Sequence, residues 1–73
     1  MNKGQFVLAK HKESGTYQFR VVGTDGDSLR VQLFSFLDGL PSGVKTFAVA
    51  DLSNVQTFDS AEQWRYAAKQ VMV

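Results

Sequence analysis

The sequence predicts a mainly β domain: a bent five-stranded antiparallel small barrel with a C-terminal α-helix. Three observations carry that prediction. Apolar and polar residues alternate in short runs between positions 4 and 58, the period of half-buried strands. Glycine-bearing polar clusters separate the runs, as turns require. Beyond Phe58 the apolar period lengthens to that of a helix. A chain of 73 residues has room for one hydrophobic core, so residues 1–73 form a single domain, with 4–58 as the barrel and 59–73 as the helical tail.

Residues 4–12, Gly-Gln-Phe-Val-Leu-Ala-Lys-His-Lys, mix β-branched and aromatic side chains and read as the first strand. It ends at Glu13-Ser14-Gly15, where Gly15 can take the positive φ of a turn. Residues 16–23 place Tyr17, Phe19, Val21 and Gly23 on one face and Gln18, Arg20 and Val22 on the other, which defines the second strand. Thr24-Asp25-Gly26-Asp27-Ser28 follows, and its Asp-Gly pair is the signature of a type I′ hairpin, so strands two and three are expected to pair antiparallel.

The third strand, residues 29–37, puts Leu29, Val31 and Leu33 on one face but Phe34 and Phe36 on the other. A bulge or sharp bend near residues 33–35 would reconcile the halves and let one strand serve both sides of a barrel. Residues 38–43 contain Pro41 between two glycines and are expected to be an exposed loop. Residues 44–50 are expected to form a fourth strand with Phe47 and Val49 on one side. A turn or 3₁₀ segment at 51–55 then leads to a brief fifth strand at 56–58.

The helix is expected over 60–70. Asp59 with Glu62, or Ser60 with Gln63, supplies a capping box, and either can start it. Trp64, Ala67, Ala68 and Val71 form its apolar stripe, while Glu62, Arg65 and Lys69 fall elsewhere on the wheel.

Composition excludes several functional classes. With no Cys and only His11, disulfides, thiol nucleophiles, Cys-based zinc sites and a histidine metal site are out of reach. Asp25, Asp27 and Asp38 are turn-formers before they are metal ligands, so no metal or cofactor is expected. No phosphate loop or two-histidine helix is present, and no Ser-His-Asp set can be assembled from spacing; the chain reads as a non-enzyme. No apolar run approaches the length of a membrane span or a signal peptide, so no membrane association and a cytoplasmic location are expected, as a monomer or small homo-oligomer. Six Phe, two Tyr and one Trp give the core large side chains to bury.

Two binding surfaces can be read from the residues. Tyr17, Phe34 and Phe36, with Asp38 beside them, could bind a protein or peptide partner as an exposed aromatic surface, or the aromatics could fill the core instead. Trp64 clamps the helix or serves a partner surface. The net charge of +1 is far from that of dedicated nucleic-acid binders. Five of the eight cations nevertheless fall in residues 1–30. Lys10, His11 and Lys12, with Arg20 and Arg30, form the alternative, a nucleic-acid surface on which Tyr17 could stack a base.

The runs Gly4-Gln5-Phe6-Val7-Leu8-Ala9, Tyr17-Gln18-Phe19-Arg20-Val21-Val22, Leu29-Arg30-Val31-Gln32-Leu33-Phe34 and Thr46-Phe47-Ala48-Val49, with Asp51-Leu52-Ser53-Asn54-Val55, resemble a Src-homology-3-like small barrel, nearest in pattern to Tudor domains. The resemblance covers residues 4–58. It implies an aromatic cage for a methylated ammonium group, with Tyr17 and Phe36 as matching positions, Phe34 as a third and Asp38 as the cation partner. After strand three, Leu37-Asp38-Gly39-Leu40-Pro41 replaces the aromatic-Gly-Asn type of stretch that the family carries there.

Overall fold

The computed structural model describes residues 1–71, with side chains through Gln70; the Val71 side chain of the expected stripe and residues 72–73 lie outside the described part. Five strands, β1 (Phe6–His11), β2 (Gly15–Asp25), β3 (Ser28–Phe34), β4 (Pro41–Ala48) and β5 (Leu52–Phe58), are followed by one helix, α1 (Ala61–Val71). All strand pairs are antiparallel, and they lie in one sheet ordered β4-β3-β2-β1-β5. The mainly β class with a terminal helix holds, but the barrel is not closed. A 3₁₀ turn, Val49–Asp51, carries the chain from β4 to the far side of β1, so β4 and β5 are both free edges. The turn is tied at each end. Val49 N–H donates to the Asp27 carbonyl at 2.8 Å, and Lys12 N–H donates to the Asp51 carbonyl at 3.0 Å.

Alternation along the strands gives this sheet two apolar faces. On the inner face, Val7, Ala9, Phe19, Val21, Leu29, Val31 and Phe47 form the buried core, with Tyr17, Leu33 and Leu52 packed at its margin. Burying a side chain of this kind contributes about 1.5–3 kcal/mol. Phe6, Leu8, Gln18 and Phe34 alternate with those residues and so occupy the outer face. There Trp64 and Ala68 of α1 are buried, and the Trp64 ring lies 4.8 Å from Phe6 and 5.0 Å, edge-on, from Phe34. Ser60 starts the helix: its Oγ accepts from Glu62 N–H at 3.2 Å and its carbonyl accepts from Trp64 N–H at 3.2 Å.

Several expectations need correction. The β2–β3 hairpin pairs Asp25 with Ser28, so its central residues are Gly26 and Asp27. Only Gly26 has a positive φ, 60°, which is the pattern of a II′ turn with glycine first rather than I′. β3 ends at Phe34, not at residue 37, because residues 35–40 close on themselves: Ser35 N–H donates to the Leu40 carbonyl and Gly39 N–H to the Ser35 carbonyl. The irregularity expected near residue 34 is a register shift against β4 between Leu33 and Phe34, and no bend is needed because Phe34 faces the helix. Pro41 opens β4 instead of sitting in a loop, as an edge strand permits. Val49, expected beside Phe47, lies in the 3₁₀ turn, which precedes the predicted position, and β5 starts at Leu52.

Candidate functional site

The loop after β3 and the last turns of α1 face each other across a cleft of about 390 Å³. The loop wall is set by its own hydrogen bonds. Leu37 N–H donates to Ser35 Oγ at 3.1 Å and Leu40 N–H donates to Asp38 Oδ1 at 2.9 Å, both turn-stabilising side-chain contacts. Buried Gln18 anchors that loop to the sheet by donating from Nε2 to the Ser35 carbonyl at 2.8 Å. The loop also presents apolar side chains: Leu37 is 91% exposed and Leu40 61% exposed, beside a half-buried Phe36.

The helix wall carries Arg65, Ala68 and Lys69. Arg65 and Lys69 are four residues apart and share a helix face, where like charges repel by a few tenths of a kcal/mol. Among the described residues neither has a carboxylate within 4.0 Å; the ion pair present is that of Lys12 with Asp51, whose carboxylate also lies 3.9 Å from His11 Nε2. An apolar shelf therefore faces two cations that have no ion-pair partner among the described residues. Two further hollows, of about 420 and 330 Å³, lie along β5 and share Leu8 and Gln56. The larger carries one cation, Lys10, and no aromatic residue.

The expected aromatic set is divided between the two faces. Phe34 is held edge-on to Trp64 beneath the helix. Phe36 and Asp38 line the cleft. Tyr17 pairs with Ala9 on the inner face, where its ring meets Phe47 at 5.2 Å and His11 at 6.5 Å, and Lys45 Nζ sits 5.8 Å from its centre. Tyr17 and Phe36 are thus on opposite sides of the sheet, and the Tyr17 ring already has a cation from its own chain.

The expected cationic set is likewise dispersed. Lys12 Nζ is 3.0 Å from Asp51, whose hydrogen bond and charge raise the lysine pKa. His11 Nδ1 accepts from Glu13 N–H at 3.2 Å, and its ring packs 5.2 Å from Phe47. Arg20 donates from Nε to the Gly4 carbonyl at 3.2 Å and stacks 5.2 Å over Phe6. Since Arg20 pairs with Phe6, it lies four residues along β1 from Lys10, or about 13 Å. Arg30 is beyond it towards the hairpin.

Leu37, Leu40, Arg65 and Lys69 escape a reading based on alternation. Leucines inside a turn segment and an Arg-x-x-x-Lys pair on the supposed wet face of the helix were the signals for them. Among the described residues no cluster of three His, Asp or Glu could hold a metal ion, and no helix is long and apolar enough to cross a membrane. No family model, curated protein or solved structure matches this chain.

Proposed function

We propose that this chain is a non-enzymatic interaction module that binds a protein or peptide segment in the cleft between the β3–β4 loop and α1. The observation that carries this reading is the exposure of Leu37 and Leu40 on a loop whose shape is fixed by hydrogen bonds of its own, with the cleft lined by both residues. An exposed apolar shelf beside a cleft of ligand size is the kind of surface that takes a partner. Phe36 and Asp38 of the expected binding set line it; Phe34 supports it from beneath the helix, and Tyr17 packs at the margin of the core on the other face.

The test is to select binders from a random peptide library displayed on phage, using the full chain, and to re-measure them on the Leu37→Ser/Leu40→Ser variant. Both side chains are exposed, so the variant should fold as the parent does. Selected peptides should lose most of their affinity for it. Undiminished binding to the variant would place the interaction surface elsewhere.

A further inference from the structure

We infer that the partner segment is acidic as well as apolar: an extended peptide presenting a carboxylate next to a large hydrophobic side chain. This rests on the cleft reading above and names the chemistry of its ligand. The two walls differ in kind. Phe36, Leu37 and Leu40 offer apolar surface on one side, and Arg65 and Lys69 offer positive charge on the other. Their Cβ atoms are expected about 5–6 Å apart, as for any helical pair at that spacing. One carboxylate can bridge such a pair. Two on alternate residues of an extended strand, about 6.6 Å apart, can take one cation each.

Asp38, the acid of the lining, does not fill this role. Its Oδ1 accepts the Leu40 N–H, and it forms no ion pair within 4.0 Å of either cation. It shapes the loop and leaves the site with a positive balance. That balance disfavours a basic or methylated-lysine peptide, which would place a third cation beside Arg65 and Lys69. Docking an apolar side chain on the leucine shelf also excludes water from the neighbouring cations, which strengthens their attraction for a carboxylate. A single-stranded nucleic acid could stack on Phe36, but two cations beside an acid offer it few phosphate contacts.

The experiment compares dye-labelled synthetic peptides by fluorescence anisotropy at physiological salt. One has Glu and Leu on neighbouring positions of a Gly/Ser backbone; its counterparts carry Gln or Lys for Glu, and a short oligothymidine is the nucleic-acid arm. The Glu peptide should bind about tenfold or more tightly than the Gln peptide, and the Lys peptide should bind least. Arg65→Glu/Lys69→Glu should reverse the order of the Glu and Lys peptides. Arg65→Gln/Lys69→Gln, milder for the helix, should erase the difference; retained Trp64 emission checks the fold of each. Equal affinity for the Glu and Gln peptides, lost in Leu37→Ser/Leu40→Ser, would overturn the acidic preference while the cleft stands. Tighter binding of oligothymidine would overturn it in favour of nucleic acid. If no peptide binds, both readings fail.

Discussion

The indole N–H of Trp64 donates to the carbonyl oxygen of Val7 at 2.9 Å, joining residues 57 apart in the chain. This bond fixes α1 on the outer face of β1, with Phe6 and Phe34 against the indole ring. The helix wall of the cleft owes its position to that anchor. Trp64→Phe should keep most of the packing and lose the bond, costing about 1 kcal/mol. Trp64→Ala removes the packing as well, about 3–5 kcal/mol, which approaches the whole stability of a domain this small. Urea unfolding followed by circular dichroism should find the first variant folded with a lower midpoint and the second largely unfolded.

Gln18 is the corresponding anchor for the loop wall. It is 5% exposed and its Nε2 reaches the Ser35 carbonyl, which also accepts from Gly39 N–H. Gln18→Leu leaves that carbonyl one partner, so the cost in stability should be only about 1 kcal/mol. Gln18→Glu is predicted to be worse at neutral pH, since a carboxylate there faces a carbonyl oxygen with no proton to donate. Hydrogen exchange should show faster exchange of the Gly39 and Leu40 amides in both variants, with the rest of the sheet unchanged in Gln18→Leu.

The two glycines of the β2–β3 arm should respond in opposite ways. Gly26 has a φ of 60°, so a side chain there is strained, and Gly26→Ala should destabilise by about 1–2 kcal/mol. Gly23 has no positive φ, and a Cβ placed on it meets nothing within 4 Å. Gly23→Ala should be neutral or stabilising by about 0.4–1 kcal/mol, through the unfolded chain. Thermal unfolding midpoints of the two variants decide this.

How far the sequence specifies this arrangement can be judged from the same residues. Alternation at Tyr17, Phe19 and Val21 predicts β2 and its inner face because the strand period is fixed by backbone geometry. The apolar switch at Phe34 is also legible as a pattern. Its cause is not, since both a bent strand and a second covered face produce it. Sheet closure is decided by the 3₁₀ turn that passes from one edge to the other, a long-range relation that no local run encodes. The cleft was least legible: Leu37 and Leu40 lie in an irregular loop, and Arg65 and Lys69 look like ordinary solvated helix charges until the loop is folded opposite them.

The Lys12–Asp51 pair predicts a pH-dependent difference. The hydrogen bond to Asp51 and then its charge raise the Lys12 pKa above its ordinary 10.5. A raised value in the folded state means that the pair stabilises fully below pH 10.5 and that this contribution is lost as pH rises through the folded value. Lys12 is exposed, so the effect is screened by salt. Urea midpoints of the parent and Lys12→Met should differ slightly at neutral pH in low salt and converge both in high salt and above the lysine pKa.

The most direct test of the central claim, that the loop–helix cleft is the binding surface, is an amide NMR titration of the labelled full chain with the Glu-Leu peptide. Shifts should concentrate at residues 35–40 and at Arg65, Ala68 and Lys69, leaving His11, Tyr17 and Phe47 unmoved. Shifts centred on those three residues, or along β5, would contradict the account.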